Sequence, residues 1–338
     1  MHTFFSLRNP VLLLLICYSS GFALADTQRT YRIGLAVWSG YHASVQGFKD
    51  GLASKGLVEG ENVMFLVGET AASKSVQQNV AHRFNDAGVD LVYSLTTPGT
   101  SVMKEIIEPD TPIVFSIVTY PADSGLIESF EYSGNNLVGT SNYVPTEHFL
   151  TLMRLIVPNV QTVAIFHRKG EPNSRIQASN LIRMLKQHDI RSLNYEPASI
   201  GQVIHMANEA ASKVDMFITT TDTLMQSGGE DALITISLAK KIPILSSNKQ
   251  GIVNGATFGP VADFYTLGKM AGVKAARILL ENTLPTDLES EVQSPPHFLI
   301  NLTSIKQLAL PVPSHKQVTF TYTEERVTSS DASETPPQ

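Results

Sequence analysis

Short apolar runs rich in β-branched residues alternate along the chain with longer segments whose apolar positions recur at helical spacing. The runs include RIGLAVW, NVMFLVG, VDLVYSL and PIVFSIV, and the helical segments between them lie near residues 43–55, 74–87 and 98–108. Strands and helices that alternate in this way are typical of βαβ units, which have right-handed connections and parallel strands. The pattern therefore predicts an α/β fold.

The alternating pattern occurs twice. VDLVYSLTT at residues 89–97 aligns with VDMFITTTD at 214–222, and TPIVFSI at 111–117 aligns with IPILSSN at 242–248. The first strand, RIGLAVW, aligns in the same order with TVAIFHR at 162–168. Any α/β protein repeats strand–helix units to some degree, but a duplication explains all three pairings. It predicts two Rossmann-like lobes with parallel sheets, whose strand ends carry ligand loops that face a shared cleft.

Length and charge are consistent with two such lobes. The chain has 338 residues, of which 43% are hydrophobic, enough to bury a sizeable core in each of two domains. Its formal net charge is −6 and no basic run occurs, so we expect no nucleic-acid partner.

The first 25 residues have the pattern of a secretory signal peptide. Arg8 precedes the apolar segment VLLLLICYSSGF, and the small residues of Ala-Leu-Ala end at Ala25, where we expect cleavage. An uncleaved anchor is the alternative, but the apolar segment is shorter than the roughly 20 residues of a spanning helix. Lipidation of Cys17, the single cysteine, is a further alternative that Ile16 before it disfavours. The sequence predicts an exported, periplasmic protein.

Several segments together resemble a known family. They are GYHASVQGFKDGLASKGLVEGENVMF, TTPGTS, TPIVFSIVTYPADSGLI, NNLVGTSN, GEPNS, TTTDTLMQ, GVKAARILLEN and FLINLTSIKQLAL. From about Tyr31 to Leu310 the chain is similar to the ABC-transporter substrate-binding family that includes aromatic-amino-acid binders with the type I periplasmic-binding-protein fold. The resemblance implies a monomer that closes on a small solute without a cofactor and delivers it to an inner-membrane ABC permease.

The resemblance also implies that the chain crosses between the lobes three times. The crossings are expected near residues 141–143, 247–251 and 284–291. The N-terminal lobe would then contain residues 29–142 and about 250–285, and the C-terminal lobe residues 143–249 and about 286–313. Residues 316–338, rich in Ser, Thr, Glu and Pro, are predicted to be a disordered tail.

The loop that follows the VDLVYSL strand is a candidate anion site. Thr97 is a good N-cap and Pro98 suits the first helical position, so the following helix would present free N–H groups and a positive dipole. Gly99 would let the backbone approach a ligand, while Thr100 and Ser101 would add hydroxyl donors to a carboxylate. Helix capping without any ligand is the alternative interpretation.

The equivalent loop of the second repeat carries Asp222. This carboxylate can cap its helix or hold a ligand ammonium, and the two roles compete. Members of the family commonly have Asp where this chain has Tyr120 and Asn248. Both differences remove negative charge, which favours a less cationic solute such as an aromatic or hydroxy acid.

Aromatic residues near the expected cleft point to a planar ligand. Trp38 and Tyr41 follow the first strand, where a stacking platform would lie, and Tyr143 lies near the first crossing. The alternative is that Trp38 packs against a neighbouring helix. Ser141 at the same crossing and Asn173 in the GEPNS segment complete the expected ligand-binding residues.

Two other function classes are alternatives to solute transport. An enzyme is disfavoured because the sequence has no HExxH, GxSxG or GxxxxGK[ST] motif, and single histidines such as His167 and His205 are more often structural. We expect no catalytic residues and no metal site. A periplasmic sensor that presents its bound state to a receptor kinase or cyclase would use the same fold, and the sequence does not separate it from a transport protein.

Overall fold

The computed structural model describes residues 1–2, 29–39, 41–312 and 320–323. Nearly all of the predicted signal peptide, including Cys17, lies outside these residues, as does most of the predicted tail. Among the helices in the described ranges, none combines the length and the apolar character needed to cross a membrane.

Strands and helices alternate through most of the described chain. The strands are β1 (Tyr31–Ala36), β2 (Val63–Val67), β3 (Leu91–Leu95), β4 (Ile113–Ser116), β5 (Leu137–Ser141), β6 (Thr162–Phe166), β7 (Arg191–Tyr195), β8 (Met216–Thr219), β9 (Ile244–Leu245), β10 (Phe258–Val261), β11 (Glu291–Val292), β12 (His297–Asn301) and β13 (Phe320–Thr323). The α-helices are α1 (His42–Ala53), α2 (Lys74–Ala87), α3 (Thr97–Ile106), α4 (Thr146–Ile156), α5 (Pro172–Gln187), α6 (Ile200–Ala210), α7 (Glu230–Lys240), α8 (Lys249–Asn254), α9 (Phe264–Glu281) and α10 (Leu302–Gln307). A π-helical turn covers Met225–Gly229 ahead of α7, and a 3₁₀ turn covers Pro285–Asp287.

The strands form two sheets, which define the two lobes. The first sheet has the order β11-β5-β4-β3-β1-β2, and all its neighbouring strands are parallel. The second has the order β13-β12-β10-β9-β8-β6-β7 and is parallel except between β10 and β12. The predicted architecture of two α/β lobes with mainly parallel sheets is confirmed.

The strand orders also show the duplication. In the first sheet β2-β1-β3-β4-β5 run in the same order as β7-β6-β8-β9-β10 in the second. The three pairings from the sequence match β1 with β6, β3 with β8 and β4 with β9. Each lobe therefore has a switch point between the first and third strands of its repeat, where the loops after those strands diverge and leave a crevice.

The chain passes between the sheets at residues 142–145, 262–263 and 293–296. The second passage differs from the one expected near residues 247–251, because α8 and β10 remain with the second sheet. The third lies beyond the expected 284–291, because β11 pairs with β5 of the first sheet. The sequence of β10 is FGPV, and its Gly and Pro hide the strand that repeats β5.

Helices α1 and α9 pack in unusually close contact in the first lobe. Glycines with a four-residue spacing line the interface: Gly47, Gly51, Gly268 and Gly272. A Cβ atom on Gly47 would lie 2.0 Å from the carbonyl oxygen of Tyr265, and one on Gly268 would lie 2.0 Å from that of Ser44. The interface holds α9 in the first lobe, although its chain has just left the second.

Part of the predicted disordered tail is ordered. Residues 320–323 form β13, which pairs in parallel with β12 so that Phe298 lies opposite Phe320. An alternating, half-exposed edge strand of four residues carries too weak a hydrophobic signal to stand out from the polar sequence around it. The remainder of the predicted tail lies outside the described residues.

Candidate functional site

A small polar cavity lies where the carboxyl ends of the two sheets face each other. Water can occupy only about 10 Å³ of it. Its lining residues come from both lobes: Tyr41, Thr96, Thr97, Ile117, Thr119, Asn142, Glu171, Asn173, Thr221, Asp222, Thr223 and Gln226. These residues follow strands β1, β3, β4, β5, β6 and β8, which places the cavity at the crevices that the strand orders create.

The backbone of the first lobe is strained at this cavity. Tyr41, Thr96 and Ile117 have φ angles of 46°, 70° and 57°, in a region that residues other than glycine rarely occupy. Each lies just beyond the end of a strand and lines the cavity. Strain of this kind persists where the surrounding structure fixes it, and it concentrates at functional sites.

Asp222 is almost fully buried at the cavity, with 1% of its surface exposed. Its Oδ1 accepts from the N–H of Met225 at 2.8 Å, which caps the helical segment that starts there. Its Oδ2 accepts from the N–H of Arg168 and from the Thr220 hydroxyl. Burial, followed by the charge of Glu171, raises the pKa of Asp222 to about 7. Asp222 therefore caps this helical segment and lines the cavity at the same time.

Glu171 is a second buried carboxylate in the same cavity. It accepts hydrogen bonds from the N–H and hydroxyl of Thr223, and one of its oxygens lies 3.5 Å from a guanidinium nitrogen of Arg168. Burial raises the pKa of Glu171 despite these contacts. Burial also raises the pKa of Tyr41, and Glu171 and Asp222 add to that effect. The two carboxyl groups thus form a buried acidic pair beside the neutral Tyr41 hydroxyl, and a cation in the cavity would stabilise their ionised forms.

The loop before α3 differs by one residue from the prediction. Thr96, rather than Thr97, is the N-cap, and its hydroxyl accepts from the N–H of Gly99 at 3.3 Å. Thr97 is the first helical residue. Its Oγ1 is buried and has no hydrogen-bond partner in the described structure, and the residue lines the cavity.

The next three residues predicted to bind the anion, Gly99, Thr100 and Ser101, make contacts outside the cavity. A Cβ on Gly99 would lie 3.4 Å from Cβ and Cε3 of Trp38, so this glycine permits close packing of Trp38 on α3. The Thr100 hydroxyl lies 3.0 Å from that of Ser94 inside the first lobe, and Ser101 donates to the carbonyl of Thr97. None of these three residues lines the cavity.

Trp38 packs against a neighbouring helix, which was the alternative to its predicted role as a stacking platform. Its side chain is 5% exposed and packs against the first turn of α3, and it lies outside the residues that line the cavity. Its Nε1 is buried, with no acceptor among the residues that the structure describes.

Amide side chains from both lobes supply further polar groups. Asn142, Asn173 and Gln226 each have a buried side-chain oxygen that, within the described ranges, accepts no hydrogen bond. Asn173 Nδ2 donates to the carbonyl of Thr221 at 2.6 Å, which fixes its orientation and leaves Oδ1 as an acceptor. The cavity is thus rich in acceptors.

Tyr120, Ser141 and Tyr143 lie beside the cavity at the first crossing. The rings of Tyr120 and Tyr143 are in tilted contact with centroids 5.4 Å apart. The Ser141 hydroxyl donates to the carbonyl of Thr119 and accepts from the N–H of Tyr143. Burial raises the pKa of Tyr120, whose hydroxyl forms a hydrogen bond with the side chain of Asn180 on α5 in the other lobe. These residues connect the lobes rather than line the acidic cavity.

A larger pocket of about 340 Å³ opens beside the cavity, and Tyr41 and Gln226 line both. We call it the outer pocket. The ring of Phe264 is edge-on to that of Tyr41, with centroids 5.8 Å apart. The other lining residues are Ser39, His42, Ala43, Ser227, Asn248, Lys249 and Gln250. The predicted residue Asn248 therefore belongs to this pocket.

Glu171, Asn142 and Gln226 are cavity residues that the sequence did not single out. Glu171 lies in the GEPNS segment, where a carboxylate before a Pro at a helix start was an available signal. Gln226 lies in the π-helical turn, which hydrophobic periodicity does not reveal.

No cluster of three or more His, Cys, Asp or Glu side chains suitable for a metal occurs within the described ranges. His167 is buried, and burial lowers its pKa.

Comparisons with known proteins show the family and the fold of this chain. The ABC transporter substrate binding protein family matches residues 38–319. A tyrosine-binding protein of Clostridioides difficile (strain R20291) is 25% identical over 285 residues, covering 84% of this chain and 82% of the relative.

Solved structures share the fold. A conserved domain protein of Vibrio cholerae has a TM-score of 0.80 at 24% identity, covering 88% of this chain and 99% of that one. An ABC domain from Streptococcus pneumoniae in complex with L-Trp has a TM-score of 0.78 at 22% identity, with coverage of 84% and 96%. Substrate-binding proteins of ABC transporters are extracytoplasmic solute binders and not enzymes. By the extent of the family match, this chain belongs to the ABC transporter substrate-binding protein family.

Proposed function

We propose that this protein binds an aromatic amino acid in the cleft between its lobes and delivers it to the permease of an ABC importer. The observation that carries the proposal is the acidic cavity, where two buried carboxylates meet polar groups from both lobes. Such a site is concave and has a few convergent polar groups, as expected for recognition of a small molecule.

The carboxylates are suited to a ligand ammonium. Asp222 and Glu171 are both buried, and the charge of Glu171 favours the neutral form of Asp222. A ligand ammonium beside them would favour the ionised form instead. The Asn173 carbonyl oxygen is an additional acceptor beside them.

A ligand carboxylate fits the opposite side of the cavity. Thr97 brings its hydroxyl there at the first position of α3, where the positive end of the helix dipole favours an anion. An α-amino acid would thus bridge the acidic second lobe and the α3 terminus of the first, which links binding to closure.

The outer pocket is suited to the side chain of the ligand. Its volume exceeds that of a single ring, and the rings of Tyr41 and Phe264 offer aromatic contacts. Two similar proteins are a tyrosine-binding protein and a complex with L-Trp. The ligands of these two proteins support an aromatic amino acid for this chain as well.

Calorimetric titration tests the binding proposal. We expect L-Tyr or L-Trp to bind, L-Leu to bind more weakly, and both tyramine and 3-(4-hydroxyphenyl)propanoate to lose most of the affinity because each lacks one charged group. Absence of binding by every aromatic amino acid would contradict the proposal. Permease and ATPase genes beside this one would support delivery to an importer, and an adjacent receptor kinase gene would oppose it.

A further inference from the structure

Asn248 is a buried residue that lines the outer pocket. The residue is 3% exposed, and its Nδ2 donates to Glu230 Oε2 at 2.9 Å and to the carbonyl of Thr220 at 3.3 Å. Turning the amide over would set its oxygen against both of those acceptors, so the orientation is fixed. Its Oδ1 is buried, and nothing in the described part of the chain donates to it.

Glu230 holds this arrangement in place. Its Oε1 accepts from the Thr219 hydroxyl at 2.7 Å, while Oε2 faces Asn248. A Cβ on Gly251 would lie 2.0 Å from Oε2, so the carboxylate occupies space that only a glycine leaves free. Glu230 is a positioning residue, because it touches Asn248 and is absent from the pocket lining.

A second acceptor lies in the same pocket. Gln226 Oε1 is also buried and receives no hydrogen bond from the described residues. Lys249, the cationic residue of the pocket, is paired with Asp263. A buried acceptor without a donor is unfavourable. A ligand that donates a hydrogen bond to it should therefore bind more tightly than the same ligand without the donor.

We infer that the outer pocket selects an aromatic ring that carries an O–H or N–H donor, and that Asn248, oriented by Glu230, accepts its hydrogen bond. The inference rests on the proposed function and adds a preference to it. Tyrosine and tryptophan have such a donor on the ring, and phenylalanine has none.

Two matched ligand pairs test the inference on the unaltered protein. Dissociation constants are measured for L-Tyr against L-Phe, and for L-Trp against its benzothienyl analogue, in which sulfur replaces the indole N–H. We expect the donor-bearing member to bind roughly 10- to 100-fold more tightly. A preference in the first pair alone would identify a phenol O–H as the donor. A preference in the second pair alone would identify an indole N–H. Either result supports the inference.

Equal affinities within both pairs would overturn the inference and leave the proposed function intact. Failure of all four ligands to bind would overturn both.

Variants then assign the preference to Asn248. In Asn248→Leu the preference should fall toward one, and Glu230→Gln should reduce it partly because the amide of Asn248 can then turn over. Asn208→Leu is the matched control, since Asn208 lies on the exposed face of α6 and donates to the carbonyl of Ile204 outside the pocket. An undiminished preference in folded Asn248→Leu would overturn the assignment. If that variant does not fold, Glu230→Gln and the two ligand pairs still decide.

Discussion

Two threonines in the first turn of α3 have the same side chain and opposite surroundings. Thr97 lines the cavity, whereas Thr100 is fully buried against Ser94 in the interior of the first lobe. We expect Thr97→Val to weaken amino-acid binding by roughly 5- to 100-fold, because it removes a hydroxyl donor to a charged group while preserving shape. Calorimetry measures the affinity and thermal unfolding the stability, which should change little.

Thr100→Val is the matched control. It should leave the affinity unchanged but lower the free energy of unfolding by about 1–3 kcal/mol, because the Ser94 hydroxyl loses its buried partner. Weaker binding in Thr100→Val alone would mean that the ligand carboxylate lies elsewhere.

Asp222 makes ligand affinity depend on pH. Its pKa in the folded protein is about 7, above the usual 3.8, so the ligand-free fold favours the protonated acid. A ligand ammonium favours the ionised form, and binding therefore releases a proton. We expect affinity to rise with pH by up to about tenfold per unit below pH 7 and to level off above it.

Calorimetry from pH 5 to 8.5 measures this dependence. Asp222→Asn should flatten the curve and weaken binding of amino acids while sparing their deaminated analogues. In the ligand-free protein the same group has the opposite linkage, since its contribution to stability is full below pH 3.8 and is lost as the pH rises to about 7. Affinity that falls as the pH rises to 7 would contradict the ammonium assignment.

For single residues, the sequence predicted which positions lie near the cavity better than it predicted where their side chains point. Tyr41, Thr97, Asn173 and Asp222 follow strand ends, and a parallel sheet brings such positions to one edge. The direction of a side chain within a helical turn depends on which residue begins the helix. The shift of the cap from Thr97 to Thr96 is therefore enough to place Thr100 in the interior.

At the scale of elements, the close backbone contact between α1 and α9 can be tested by substitution. A methyl group on Gly268 would overlap the carbonyl of Ser44, so the two helices would have to separate. We expect Gly268→Ala to lower the free energy of unfolding by about 1–3 kcal/mol or more, as overpacking does. Chemical denaturation measures the change.

Gly201→Ala in α6 is the control for helix propensity. Its added Cβ would come no nearer than 4.0 Å to the Ser199 hydroxyl, and the replacement should stabilise the protein by roughly 0.5–1 kcal/mol. Stabilisation of both variants would show that the α1–α9 interface can relax.

Whole elements were foreseeable where their pattern repeats. The paired runs of β3 with β8 and β4 with β9 keep the same residue types because both strands are buried on both faces. The second crossing was not foreseeable, because β10 is short and contains Gly259 and Pro260. Its membership in the second sheet depends on pairing with β12, a partner about 40 residues away in the chain.

For the whole molecule, the size of the cavity requires motion. About 10 Å³ holds no more than one water molecule, so an amino acid can enter only when the lobes move apart. We expect the ligand-free protein in solution to sample open states and the radius of gyration to decrease on saturation with ligand. Small-angle scattering with and without ligand measures this change.

Tyramine, which lacks the carboxylate and should lose most of the affinity, serves as the control solute at the same concentration. An identical scattering curve in the presence of a saturating ligand would mean that the ligand enters without separating the lobes.

The interleaving of the lobes also governs how the protein can be made. The first lobe begins with β1, yet its α9 and β11 are encoded at residues 264–292, after nearly all of the second lobe. Until residues 264–292 are in place, the glycine face of α1 has no partner helix and β5 is an open sheet edge. Such edges and faces are where nascent chains aggregate. The last quarter of the chain therefore completes both lobes together, and a chain that lacks it leaves both lobes unfinished.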